Sequence, residues 1–117
     1  MISGTHAIVY ADDAEKARAF FRDVLEWPHV DAGDGWLVFA LPPAELAVHP
    51  TDGDVGRHEL FLMCTDVRRT VDDLVAKGVH VTAPITDEGW GLATSMNVPG
   101  ADPIRLYQPK HPTAYDL

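Results

Sequence analysis

Three side chains of this 117-residue chain could together ligate a metal: His6, His49 and Glu59. Two imidazoles and a carboxylate suit a divalent ion with open coordination positions, acting as a Lewis acid on a substrate carbonyl or enolate. Glu45 lies on the same short segment as His49 and competes with it for that role; if it is not a ligand, it is the candidate general base. A second group suits a binding cleft. Tyr10, Trp36, Phe61, Met63, Trp90, Arg105 and Tyr107 would supply apolar walls and one fixed positive charge. Neither HxxxH nor CxxC spacing is present, so both sets depend on folding to bring them to one face.

The elements that would do so can be read from periodicity and turn chemistry. Residues 5–10 are β-rich and run into Asp12-Asp13, either of which can cap a helix, with Glu15 placed as in a capping box. From 14 to 25 the apolar positions Ala17, Phe20, Phe21, Val24 and Leu25 form one buried helical stripe, ended by Trp27-Pro28. Short strands are expected at about 29–31, 36–41 and 45–49, punctuated by the glycines and aspartates of 31–35 and by Pro42-Pro43. The polar connection 50–57 is the best candidate boundary. Beyond it the pattern repeats: a strand over 58–64, a helix capped by Thr65-Asp66 with Val67, Val71, Leu74 and Val75 inward, and Gly78 at its C-terminal end. Strands near 79–82, 92–98 and 104–107 follow, the last two joined by the turn Pro99–Pro103.

Two offsets support an internal repeat. Asp13 and Asp66 lie 53 apart, as do His6 and Glu59, and Gly35-Trp36 matches Gly89-Trp90 at 54. Two copies are too few for a solenoid, so the economical fold is α+β: two tandem βαβββ modules, about 1–50 and 57–117, forming a curved mixed sheet around one open cleft in a single domain. Alternation then assigns the faces. Ala7, Val9, Leu46, Val48, Leu60, Leu62, Cys64, Ile104 and Leu106 would pack on the helices. His6, Tyr10, Glu45, His49, Glu59, Phe61, Met63, Arg105 and Tyr107 would line the cleft, with Trp36 and Trp90 at its rim. His29, His58, His80 and His111 read as surface residues, and Cys64 as a small buried hydrophobe.

Composition narrows the function classes. A formal net charge of −9 repels phosphate backbones and anionic lipid, arguing against nucleic-acid and membrane partners, while it would steer a cationic ligand favourably. No apolar run approaches the ~20 residues needed to span a bilayer. The start Met1-Ile2-Ser3-Gly4 has no signal-peptide character and Cys64 is the single cysteine, so a reducing, cytoplasmic location is expected.

The stretches His6–Asp13, Ala17–Leu25, Glu59–Val67, Lys77-Gly78-Val79, Trp90-Gly91 and Pro99–Pro109 resemble the vicinal oxygen chelate superfamily, which includes glyoxalase I, bleomycin-resistance proteins and extradiol dioxygenases. In its metal-using members ligands come from the first, fourth, fifth and eighth strands. Those positions fall here on His6, on Glu45 or His49, on Glu59 and on Arg105. Arginine cannot ligate a metal, because its guanidinium stays protonated. The resemblance therefore implies a small-molecule-binding protein of the bleomycin-resistance type, taking an aromatic or cationic metabolite or antibiotic. Its alternative is a lyase, isomerase or dioxygenase using one divalent zinc, nickel, manganese or iron ion on His6, His49 and Glu59. It also implies a homodimer.

Overall fold

The computed structural model describes residues 1, 4–51, 53 and 56–117. Ile2 and Ser3 of the N-terminal stretch, and Asp52, Asp54 and Val55 of the expected boundary, lie outside the described residues.

Helix α1 (Ala14–Ala19) starts at Asp13, whose carboxylate accepts from the Lys16 backbone N–H at 3.1 Å. The helix does not stay α-helical to residue 25: it widens into a π-helical turn over Phe20–Val24, closed by the Leu25 N–H donating to the Phe20 carbonyl. The wider turn puts the adjacent Phe20 and Phe21 both into the core. Trp27 then stacks on Phe21, with ring centroids 5.3 Å apart. Strands β1 (His29–Asp31) and β2 (Leu37–Phe39) form an antiparallel hairpin.

Strand β3 (Phe61–Met63) leads into α2 (Val67–Ala76), whose N-terminus is capped by Asp66, as the sequence indicates. Val67 and Leu74 are buried, but Val75 is exposed: it lies one residue beyond Leu74 and turns about 100° off the buried stripe. Strands β4 (Thr86–Asp87), β5 (Gly91–Met96) and β6 (Ile104–Pro109) complete a four-stranded mixed sheet ordered β3-β6-β5-β4. β3 runs parallel to β6, and the other two pairs are antiparallel. Val81 contributes an isolated bridge to Met96 where a strand over 79–82 was expected.

One face of this sheet carries the core. Met96, Val98, Ile104 and Leu106 pack with Val67, Leu74, Phe20 and Phe21, and Leu62 of β3 with the flanking Leu60 and Cys64 packs against them. Gly100 ties the turn before β6 to α1: its carbonyl accepts from the Asp13 N–H at 3.0 Å, at the N-terminus of the helix. Among the described residues no helix is long and apolar enough to cross a membrane.

Two expected strands are corrected. Residues 5–10 make no strand, the nearest pairing being the Ala11–Ala101 bridge, and Ala7 and Val9 are exposed rather than packed on a helix. Residues 45–49 are likewise unpaired, and Leu46 and Val48 are 91% and 92% exposed. Composition can favour an extended chain, but a strand forms only where another edge offers its hydrogen bonds. Pro42, Pro43 and Pro50 also remove donors around the second segment.

Candidate functional site

The sheet face away from the core is built by register. On β3 and β6, Phe61 lies beside Arg105 and Met63 beside Tyr107. Opposite them β5 places Ser95 across from Arg105, Ala93 across from Tyr107 and Gly91 across from Pro109. These small residues leave the space that the Tyr107 ring fills. A Cβ on Gly91 would come within 2.8 Å of that ring's Cδ2 and 2.7 Å of the Gln108 carbonyl oxygen.

Trp90 reaches this face from the tight β4–β5 turn. Gly89 takes φ +83° there, its N–H bonded to Asp87, and the Glu88 N–H donates to the Gly91 carbonyl. Lys110 ties the turn down: its backbone N–H donates to the Trp90 carbonyl and its ammonium pairs with Asp87 at 2.6 Å. That hydrogen bond, followed by the one from Gly89, holds the Asp87 carboxyl below its ordinary pKa. The result is a triangle of rings meeting edge to face: Trp90 to Tyr107 at 5.1 Å, Phe61 to Tyr107 at 5.8 Å and Phe61 to Trp90 at 6.0 Å. The Arg105 guanidinium lies over two of them, 5.1 Å from the Phe61 centroid and 5.4 Å from that of Trp90.

A polar chain borders the triangle. The Tyr107 hydroxyl is 3.0 Å from His111 Nε2, and the two rings stack. His111 Nδ1 is 2.7 Å from the Pro112 carbonyl, which can only accept, so Nδ1 carries a proton. Glu45 approaches the same Nε2 at 3.9 Å and accepts from the Ala114 N–H at 2.7 Å, tying the C-terminal tail to the 41–50 segment. Burial, and then the Glu45 charge, push the Tyr107 phenol above its ordinary pKa. Cys64 donates its thiol to the Tyr107 carbonyl at 3.6 Å, and burial raises its pKa, which fits a packing role.

Of the residues read from sequence as cleft-lining, Phe61, Met63, Trp90, Arg105 and Tyr107 share this face, and Glu45 reaches its border through His111. Trp36 sits in the β1–β2 hairpin under the Arg18 guanidinium, 4.9 Å from it, and is largely exposed. Tyr10 borders a separate open concavity of about 430 Å³ with Asp12, Asn97 and the 98–102 turn. That concavity contains neither the aromatic triangle nor Arg105.

His6 lies exposed on the unpaired 5–10 segment, Glu59 is exposed and pairs with Arg57 at 3.2 Å, and His49 donates Nδ1–H to the Pro50 carbonyl at 2.6 Å. Among the described residues no group of three or more His, Cys, Asp or Glu side chains is arranged to hold a metal ion. The residues as placed do not fit one.

Two participants escape the sequence reading. Glu88 stands immediately before Gly89-Trp90, in a turn whose ends are pinned by pairing. His111 lies beyond the last strand, so strand alternation assigns it no face; the flanking Pro109 and Pro112 are the only hint that the tail doubles back.

The glyoxalase/bleomycin resistance protein/dioxygenase superfamily model matches residues 5–105. The chain belongs to that superfamily. No curated protein matches it by sequence. Among solved structures, it resembles TnmS3, an antibiotic binding protein from Streptomyces sp. CB03234, at 26% identity and a TM-score of 0.67, over 93% of this chain and 98% of that one. Lactoylglutathione lyase from Agrobacterium tumefaciens shares the fold at 18% identity and a TM-score of 0.65, covering 91% and 92% of the two chains. The fosfomycin resistance protein FosX from Listeria monocytogenes does so at 13% and 0.54, covering 99% and 98%. Superfamily membership, an α+β fold with mixed sheets and a ring-lined sheet face therefore stand together.

Proposed function

We propose that this superfamily member binds an aromatic small molecule, a metabolite or an antibiotic, on the face formed by β3, β6 and β5. The observation that carries the reading is the convergence of Phe61, Trp90 and Tyr107 with Arg105 on one open face. Few polar groups set in an aromatic wall are what a small-molecule site requires. The likeness to an antibiotic binding protein supports the same reading. Glu45 stays a candidate base only in the sense that it borders this face through His111.

The assembled state belongs to the proposal. Ile8, Tyr10, Leu46 and Val48 are exposed on segments with strand-like composition and no strand partner. Two βαβββ modules in one domain, paired with a second copy in the cytoplasm, would give both segments an edge to join. Light scattering coupled to size exclusion checks this, a dimer mass being expected.

Binding itself is tested by titrating planar aromatic compounds of each charge type and following tryptophan emission. Saturable quenching should survive in W36F and largely disappear in W90F. Absence of saturable quenching by acidic, neutral and cationic compounds alike would overturn the reading.

A further inference from the structure

We propose that the ligand is a planar aromatic acid whose anionic group is taken by Arg105, with Glu88 as a built-in competitor that must yield. This deepens the binding reading above and rests on it. The guanidinium is held over Phe61 and Trp90, its central carbon 5.1 and 5.4 Å from the two ring centroids. It is still 40% exposed. Arginine has five N–H donors in a planar fork suited to a carboxylate. Among the described residues its one ion partner is Glu88, at 3.9 Å, beyond hydrogen-bonding range. Glu88 is already engaged elsewhere, since the same Oε1 accepts from the Thr86 hydroxyl at 2.8 Å. Arg105 is thus positioned and under-used.

The charges around it favour an anion over a cation. Lys110, which ties down the turn, is spent on Asp87 at 2.6 Å. Glu45 is committed to the Ala114 N–H and faces His111. An aromatic cation would have to sit on rings that Arg105 already covers, meeting a like charge at close range. The overall charge of −9 argues the other way, for a cationic ligand, but exposed charges more than about 8–10 Å off are screened at physiological salt, whereas Arg105 is in direct contact. An aromatic acid stacks its ring beside Trp90 and turns its carboxylate to the fork, displacing Glu88 toward Thr86.

The test uses three matched probes on the full chain: 2-naphthoate, 2-naphthamide and 2-naphthylmethylammonium, followed by calorimetry and by the indole N–H resonance of Trp90. Naphthoate should bind about tenfold more tightly than the amide, and the ammonium probe most weakly. E88Q should widen the naphthoate-to-amide ratio severalfold, because it removes the competing carboxylate from an exposed position. R105Q should collapse that ratio to about one, and R105K should restore only part of it. An unchanged or reduced ratio in E88Q, or an ammonium probe that outbinds naphthoate, would overturn the proposal. Amide binding without a preference for naphthoate sinks the acid proposal and leaves the aromatic site standing; if none of the three probes binds, both fall.

Discussion

Gly91 offers a direct check on how the aromatic face is built. A methyl group there would sit 2.7 Å from the Gln108 carbonyl oxygen and 2.8 Å from Tyr107 Cδ2. The first contact is backbone in a paired strand and cannot move alone; the second is a ring wedged between Trp90, Phe61 and His111. Overpacking of this kind costs about 1–3 kcal/mol, against ~0.4–1 kcal/mol regained because alanine restricts the unfolded chain. G91A should therefore lose about 1–2 kcal/mol, or roughly 4–8 °C in Tm for a chain of this size. Gly89 is the control two residues away. It has nothing within 4 Å of an added Cβ, but its φ of +83° disfavours L side chains. G89N should thus be mild, since asparagine tolerates the left-handed region, while G91N should be at least as damaging as G91A. Differential scanning calorimetry of the three variants, with near-UV circular dichroism for the coupled rings, gives the comparison. A G91A protein that melts within a degree of the parent with an unaltered aromatic spectrum would refute the packing argument. So would a G89N protein as unstable as G91A.

Gly100 combines both constraints: φ is +81°, and an added Cβ would meet Asp13 Cβ at 2.8 Å and its carbonyl carbon at 3.0 Å. G100A should cost about 2–4 kcal/mol in a urea titration, and G100N should bring no rescue, because the clash is with the start of α1. Tyr107, 7% exposed, resists ionisation in the folded chain, so its contribution to stability is present below the ordinary tyrosine pKa of ~10 and is lost as pH rises through its own higher value. Absorbance at 295 nm should show a late tyrosinate component that vanishes in Y107F, and Y107F should lose less stability above pH ~10; a titration without that component would contradict the burial assigned to the ring. The separate placement of His6, His49 and Glu59 predicts sub-stoichiometric zinc, nickel, manganese and iron in protein purified without chelator, and one tightly held ion per chain would contradict it.

Periodicity was enough wherever a side chain's face follows from its own element. The stripe Ala17, Phe20, Phe21 and the pair Val67, Leu74 are buried as spaced, Asp66 caps α2, and alternation on β6 sends Ile104 and Leu106 to the core and leaves Arg105 with Tyr107 on the other side. That alternation alone groups Phe61, Met63, Arg105 and Tyr107. Tertiary structure decided the rest, because the remaining questions concern partners distant in sequence. Residues 5–10 and 45–49 look like strands in composition, but among the described residues no edge pairs with them, and His6, His49 and Glu59 form no group that could hold a metal. Trp36 and Trp90 both follow a glycine in sequence, yet only Trp90 joins the ring cluster, because Lys110 ties its turn to the end of β6. His111 and Glu88 enter the site through a returning tail and a turn, where no period operates. Local geometry propagates along a strand or helix; which two elements meet depends on the chain closing on itself.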